Sequence, residues 1–285
     1  LTRPLSARAA AMGGAYAAVQ DAGAESPQYN PAALARLRRP ALAASYLDGF
    51  GGVTHGFLSV EHPLPVGAAA AGLLYFNAGS IDLNLSDGTR GTVTAEEDLA
   101  ATFSYALPLP WGLSAGATYR FLRMTLAQTA HAVSHQADLG LQWKTPLPGL
   151  SFGGAYQYWG KDIRFEEAGD PPPKTWRLGA ALRFPDLDVS KLDPATDLDA
   201  FDMTLSADLV QTLYESASPR LGMEMGLTPA MLSRVALRAG WVFNTFGEGL
   251  CFGAGLRHGS FAFDYGYGAV KEMVGMQNVT LSYTF

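Results

Sequence analysis

Hydrophobic and polar residues alternate along most of the chain with the two-residue period of a β-strand. In residues 278–285 the odd-numbered positions are apolar or aromatic, and the even-numbered positions are polar. The same alternation recurs in residues 176–184, 204–209, 221–227 and 261–267. Because successive side chains of a strand point to opposite faces, the pattern predicts strands with one apolar and one polar face.

The connections between these segments distinguish two architectures that share the alternation. In a soluble sandwich the apolar face is the core, whereas in a membrane barrel it contacts lipid. Proline-containing turns at 62–67, 107–112 and 145–149 alternate with longer polar loops such as 79–97 and 160–174. Short turns on one side and long loops on the other are typical of bacterial outer-membrane barrels.

The alternating segments predict an all-β, transmembrane antiparallel β-barrel of about 14 strands. Residues 41–285 form this barrel, and residues 1–40 form a separate N-terminal segment. The predicted strands span roughly 41–50, 53–62, 66–78, 98–107, 111–123, 131–145, 150–160, 175–184, 202–213, 219–227, 233–243, 249–257, 259–267 and 276–285.

The N-terminal segment is rich in small residues and lacks the strand period. Asn30 followed by Pro31 predicts the N-cap and first position of a short helix over 32–39, which Pro40 ends. A barrel of this size encloses a lumen wider than that of a filled 8-stranded barrel. The segment is therefore a candidate plug or hatch in the lumen, and a periplasmic tail is the alternative.

Composition and motifs exclude several function classes. The net charge of −6 leaves no basic excess for binding nucleic acid. Cys251 is the only cysteine, and no Cys/His cluster has ligand spacing, so we expect neither metal nor cofactor. Two matches to the hydrolase pattern G-x-S-x-G, at 112–116 and 149–153, follow proline turns and continue as strands. We therefore expect no enzymatic activity.

Charged residues on the predicted inward face are candidates for a functional role. They are Asp98, Arg120, Asp138, Arg177, Arg183, Asp208, Glu224, Arg238, Arg257 and Asp264. Buried charges are tolerated when they pair with one another or contact water. Two interpretations stay open: a charge network that holds the plug, or a lining that sets selectivity. The acidic connection 185–200 is likewise either a cation or partner site or a solvated loop.

The N-terminal segment contains a motif made of Met12, Gly13, Gly14, Asp21, Asn30 and Pro31. This motif resembles the signature of the FadL-type outer-membrane barrels, most closely the PorV/PorQ family. Ala33 stands where the family motif has a glycine. The resemblance implies a 14-stranded barrel with an N-terminal hatch, in the outer membrane of a Gram-negative bacterium after removal of a signal peptide.

The resemblance also implies a function. The first expectation is a non-enzymatic component of an envelope transport or secretion assembly, such as type IX secretion. The alternative is a FadL-like passive channel for hydrophobic small molecules such as fatty acids. The implied partners are outer-membrane lipid, the barrel assembly machinery and other envelope secretion or surface-assembly proteins.

The resemblance also suggests roles for a glycine-flanked segment and for the aromatic end of the chain. The segment from Gly67 to Gly72 has little side-chain bulk, and the corresponding family strand kinks to open a lateral portal. The alternative is that small residues let the plug approach the wall. Tyr283 and Phe285 give the last strand an aromatic end, which the resemblance implies is read by the assembly machinery.

Overall fold

The computed structural model describes residues 4–20, 23–84, 88, 90–165, 169–188, 198–229, 234–244, 248–270 and 275–285. Its strands are β1 (Ala41–Asp48), β2 (Thr54–Pro63), β3 (Ala68–Asn77), β4 (Ser80–Asn84), β5 (Arg90–Thr94), β6 (Glu96–Pro108), β7 (Leu113–Leu126), β8 (Ala130–Lys144), β9 (Leu150–Gly160), β10 (Ile163–Arg164), β11 (Gly169–Asp170), β12 (Thr175–Asp188), β13 (Leu198–Thr212), β14 (Ser218–Pro229), β15 (Val235–Val242), β16 (Glu248–His258), β17 (Phe261–Val270) and β18 (Met276–Thr284).

Fourteen of these strands form a closed antiparallel barrel, so the predicted fold is confirmed. Their order is β1-β2-β3-β6-β7-β8-β9-β12-β13-β14-β15-β16-β17-β18, and β18 pairs back onto β1. The closing ladder runs from Ala41 opposite Thr284 to Asp48 opposite Gln277 without a shift. Closure matters because an open strand edge in lipid would leave backbone groups without hydrogen-bond partners.

The alternation read from the sequence sorts side chains between the two sides of the wall. Leu281 is 57% exposed on the outside, whereas its neighbour Thr280 is buried on the inside. Leu139, Leu178 and Trp176 are likewise exposed outward. The outer surface is therefore a belt of apolar side chains, which is unfavourable in water and typical of a lipid-facing wall.

Aromatic side chains cluster at the ends of this belt. At the short-turn end the rings of Trp143 and Phe152 stack 6.2 Å apart, and those of Phe261 and Tyr283 lie 4.7 Å apart. At the long-loop end Tyr156 and Trp176 are 4.4 Å apart. Two aromatic girdles flanking an apolar band are characteristic of barrels that sit in a membrane.

Several predicted boundaries differ from the structure. The loops predicted at 79–97 and 160–174 contain the two small hairpins β4–β5 and β10–β11, outside the barrel. β12 and β13 extend into the acidic connection predicted at 185–200, and residues 189–197 lie outside the described residues. The ladder between β12 and β13 shifts register between Phe184 and Leu187, where Pro185 has no N–H to donate.

The N-terminal segment lies inside the barrel. A short helix α1 (Ala7–Ala11) contacts β15 to β18, and a 3-10 helix (Pro31–Arg36) contacts β3 and β6 to β8. The predicted helix at 32–39 is therefore shorter, begins at Pro31 and is a 3-10 helix; α1 was not predicted. The side chain of Asn30 caps the 3-10 helix, as expected, by accepting from the Ala32 backbone N–H at 3.0 Å.

No helix in the described part of the chain is long and apolar enough to cross a membrane.

Candidate functional site

The plug, defined as residues 4–20 and 23–37, approaches the barrel wall closely at a set of glycines. Wall glycines face it in pairs that sit opposite each other on adjacent strands: Gly116 and Gly140, Gly153 and Gly179, Gly222 and Gly240, and Gly253 and Gly266. A Cβ atom added at Gly116 would lie 2.5 Å from the carbonyl group of Pro31, and one at Gly222 would lie 2.7 Å from the Met12 oxygen. At these positions the wall has no side chain, which lets the plug backbone approach it closely.

The residues of the N-terminal motif lie at these contacts. Gly13 and Gly14 adopt φ angles of +63° and +72°, which favour glycine, and turn the chain after α1. A Cβ at Gly13 would lie 3.2 Å from backbone atoms of Leu221 and Trp241. Met12 is buried in the core of the plug with Tyr16. The position of Asp21 lies outside the described residues.

Asn30 ties the plug to itself and to the wall. Its side-chain nitrogen donates to the backbone oxygens of Ala17 (2.8 Å) and Leu141 (3.0 Å), while its oxygen caps the 3-10 helix. Pro31 follows it against Gly116 and Gly140. The Asn-Pro pair therefore fixes the second half of the plug against β7 and β8.

A buried ion-pair network connects the plug to three strands. Arg8 of α1 donates to both carboxylate oxygens of Glu224, at 2.8 and 2.9 Å. Glu224 also accepts from Arg238 (2.5 Å) and Arg234 (2.8 Å), and Arg238 continues to Asp264 at 2.6 Å. Since Glu224 is 0% exposed, its charge depends on these partners.

A further carboxylate, Asp208 of the adjacent strand β13, binds the backbone of the plug. One oxygen of Asp208 accepts from the backbone N–H groups of Tyr16 (2.9 Å) and Ala17 (3.0 Å) and lies 3.5 Å from Arg177. Arg177 in turn donates to the Gly14 carbonyl oxygen at 2.9 Å.

The third pair joins β7 and β8. Arg120 and Asp138 are 2.9 Å apart, and Arg120 also donates to Gln28 of the plug at 3.3 Å. The second oxygen of Asp138 accepts from the Tyr158 backbone N–H at 2.7 Å.

Most of the charges predicted to face the lumen therefore meet in ion pairs. Asp98, which is buried in β6, and Arg257, which is exposed at the short-turn mouth, have no ion pair among the described residues, and Arg183 is half-buried. Sequence reasoning missed several charges that the described part of the lumen contains, among them Arg8, Glu25, Glu61, Asp202 and Arg234. Glu61 and Asp202 lie on inward positions of strands, so the alternation itself would have found them. A role of these charges in ion selectivity stays a prediction.

An acidic group of the plug, Glu25, is buried in the lumen. The Tyr16 hydroxyl donates a hydrogen bond to a carboxylate oxygen of Glu25 at 3.0 Å. Burial raises the pKa of Glu25 above its usual 4.5, although the positive charge of Arg8 opposes this shift. Burial also raises the pKa of Tyr29 to about 12, so this hydroxyl stays protonated and accepts from the Leu5 backbone N–H at 3.1 Å.

The strand with the predicted lateral opening, β3, is paired along its whole length. Residues Ala68 to Asn77 face β2 on one side and β6 on the other without a register shift. Ala68 packs on Leu34 of the plug, as the alternative interpretation expects, while Gly72 approaches Thr102 of the neighbouring strand. Gly67 has φ +78° in the turn before β3. The wall is thus closed at β3, and a lateral portal there stays a prediction.

The aromatic end of the last strand faces outward. The rings of Tyr283 and Phe285 are 4.8 Å apart, and the Phe285 backbone N–H donates to the Pro40 oxygen at 3.0 Å. Recognition of these residues by an assembly machinery stays a prediction.

The lumen also contains an apolar cluster that sequence reasoning did not single out. It consists of Leu5 of the plug with four inward-facing wall residues: Phe57, Leu74, Ala100 and Leu122. They lie on the adjacent strands β2, β3, β6 and β7, and Met124 packs beside them. The sequence contained the information needed to place Leu122 on the inward face, because it lies two residues after the inward residue Arg120 on the same strand.

The fold is similar to solved membrane channels, although comparison of the sequence with protein-family models and curated proteins finds no match. The CymD monoaromatic hydrocarbon channel has a TM-score of 0.61 and 14% identity over 99% of this chain and 97% of that chain. The P. putida toluene transporter TodX has a TM-score of 0.56 and 12% identity over 90% of this chain and 92% of that chain.

A Pseudomonas aeruginosa FadL homologue has a TM-score of 0.52 and 13% identity over 100% of this chain and 99% of that chain. Identities this low establish the fold alone. The chain therefore has the fold of the FadL-type barrels, and these structures give no support to the PorV/PorQ family in particular.

Proposed function

We propose that the protein is a passive channel for small hydrophobic molecules in a bacterial outer membrane. The observation that carries the proposal is the apolar cluster of Leu5, Phe57, Leu74, Ala100 and Leu122, which lies inside a lumen that also contains many buried charged and polar groups. An apolar cluster inside a pore is a candidate binding site for apolar ligands, because transfer of apolar surface from water into an apolar contact is favourable.

Leu5 fills this site in the structure. It is the first plug residue to be buried, and its backbone N–H is held by Tyr29. A hydrophobic molecule that reaches the cluster replaces Leu5 against Phe57 and Leu122 with contacts of the same kind. Entry of the ligand is thereby coupled to displacement of the N-terminal end of the plug.

The outer surface supports the membrane location. The apolar belt with aromatic girdles matches the requirements of a lipid bilayer, and the short turns of outer-membrane barrels face the periplasm. The fold shared with the CymD and TodX channels supports the same class of function. The secretion-assembly interpretation rests only on the N-terminal resemblance, and the comparisons do not support it.

A transport assay with paired variants tests the proposal. Cells that lack their own hydrocarbon channels would express the protein, and uptake of radiolabelled toluene would be measured. Leu122→Ser removes apolar surface from the cluster and should lower uptake at least five-fold. Its cross-strand neighbour Ser134 is also inward-facing but lies outside the cluster, so Ser134→Ala should leave uptake unchanged. Equal uptake with and without the wild-type protein would contradict the proposal.

A further inference from the structure

We infer that the short-turn mouth of the barrel binds a small, multiply charged organic anion that carries carboxylate or phosphate groups. The inference concerns the opposite end of the lumen from the apolar cluster and does not depend on the proposed channel function.

Two adjacent cavities lie between the plug and the wall at this mouth. Their volumes are about 510 Å³ and 300 Å³, and Gln20, Arg36 and Arg38 line both of them. These volumes lie in the range of small-molecule pockets, roughly 300–1,000 Å³. Pro148 and Gly149 of a short turn border the larger cavity, and Thr284 at the end of β18 borders the smaller one.

The cavities are strongly cationic. The basic residues that line them are Arg36, Arg38, Arg39, Lys144, Arg183 and Arg257. Among the described lining residues, Glu61 is the only acid. This concentration of positive charge contrasts with the whole chain, whose net charge is −6.

The donors of Gln20, Arg36, Arg38 and Arg39 differ from the arginines deeper in the lumen, which are bound to carboxylates. Arg36 donates one N–H to the Gly112 oxygen at 3.1 Å, while its Nε is buried and has no hydrogen-bond partner among the described residues. The side-chain nitrogen of Gln20 is also buried, and the described part of the chain gives it no partner. Arg38 and Arg39 are exposed, and the described residues give neither an ion pair.

The positive charges of Arg36 and Arg38 also repel each other. Burial, and then the positive charge of Arg38, lower the pKa of Arg36. Like charges held close together are stabilised by an anion placed between them.

The donor set defines the class of ligand. Guanidinium groups present paired N–H donors that match the oxygens of carboxylate and phosphate. Ser282 and Thr284, which line the smaller cavity, are on the inward parity of β18, so the site faces the aqueous mouth rather than lipid. A soluble anion from the periplasm therefore fits the site better than a lipid headgroup.

Calorimetric titration of the full chain in a non-ionic detergent tests the inference, with inorganic pyrophosphate as the probe at low ionic strength. We expect saturable binding to the wild-type protein and at least a ten-fold weaker affinity for the double variant R38Q/R39Q. The control variant R90Q/R123Q removes the same charge from exposed positions on the long-loop half of the barrel and should bind within two-fold of the wild type.

A second measurement identifies the residues involved. Phenylglyoxal modifies accessible arginines, and bound pyrophosphate should slow modification of Arg36, Arg38 and Arg39 but not of Arg90. The inference is wrong if the wild type shows no saturable binding, if R38Q/R39Q and R90Q/R123Q bind equally, or if these arginines are not protected. Protection by phosphatidylglycerol in nanodiscs, with none by pyrophosphate, would overturn the soluble ligand and assign the site to a lipid headgroup.

Discussion

At the scale of single residues, glycines determine how closely the plug fits the wall. A Cβ atom at Gly240 would overlap the backbone of Met12 and Gly13, and its cross-strand partner Gly222 faces Met12 as well. Close-packed interiors tolerate added atoms poorly, because neighbouring groups must move to make room. The glycines of the wall are thus part of the plug-binding surface.

Replacing Gly240 by Ala should therefore loosen the plug. Overpacking of this kind costs about 1–3 kcal/mol, and each ~1.4 kcal/mol changes the ratio of seated to displaced plug about ten-fold. More frequent openings in planar-bilayer recordings would report the change. Gly249→Ala is the control, because the nearest atom to its added Cβ is Trp241 Cζ2 at 3.9 Å. Identical recordings from both variants would contradict this role of Gly240.

Glu25 makes the seating of the plug depend on pH. Its pKa is raised by burial in the seated plug and returns towards 4.5 when the plug meets water. The stabilisation that Glu25 gives to the plug in its place in the lumen is therefore fully present below pH 4.5. It is lost as the pH rises through the raised pKa of Glu25. Arg8 and Asp264 act on the same carboxyl, and Glu61 lies close enough to interact with it.

We expect more openings in planar bilayers at pH 8 than at pH 5. Glu25→Gln keeps a similar shape but cannot ionise, so this variant should open as rarely at pH 8 as the wild type does at pH 5. An unchanged pH response in Glu25→Gln would show that another group controls it.

At the scale of the strand, alternation assigns each residue of β18 to lipid or lumen. Leu281 is exposed on the outer belt, whereas Ser282 lines the smaller mouth cavity. The neighbouring strands β1 and β17 hold this register without a shift, so the assignment is fixed along the whole strand.

Arginine substitutions separate the two faces. Leu281→Arg places a charge in lipid and should lower the free energy of unfolding by about 2–4 kcal/mol if it lies near the bilayer midplane. Ser282→Arg reaches the mouth cavity, where water solvates the charge, and should cost much less. Urea titration of the protein in lipid vesicles measures both. Equal losses would mean that the inside and outside of β18 are wrongly assigned.

At the scale of the whole molecule, different interactions stabilise the barrel wall and hold the plug inside it. The wall closes through backbone ladders between β1 and β18 and does not require the plug for any of its strand pairs. The plug, in contrast, is held by buried ion pairs, backbone hydrogen bonds and close contacts that all come from the wall.

Deleting residues 1–39 should accordingly leave a folded barrel with a larger pore. Heat-modifiable migration on a gel would show that the barrel still forms. Single-channel conductance should rise well above that of the full chain, because the lumen then contains water instead of the plug. A folded deletion variant with unchanged conductance would mean that the plug does not limit the pore.

The fold class, the number of barrel strands and most of the inward-facing charges could be predicted from the sequence alone. These depend on a local property, since a two-residue period assigns each side chain to one side of a wall whatever the neighbouring strand is. Asn30 and Pro31 likewise predicted the start of a helix, because the preference of Asn for the N-cap and of Pro for the first helical position is local. The end of that helix and the hairpins in the long loops were missed, because turn positions are set by contacts beyond the local sequence.

Contacts between residues far apart in the sequence depend on the three-dimensional fold. Arg8 reaches Glu224 across 216 positions of sequence, and Gly240 adjoins Met12 because the closed sheet brings β15 around the plug. The apolar cluster at Leu122 and the basic mouth at Arg36 are assembled from several strands and the plug, so no short stretch of sequence contains either. Such sites depend on barrel closure and on the path of the plug, and a periodic pattern specifies neither.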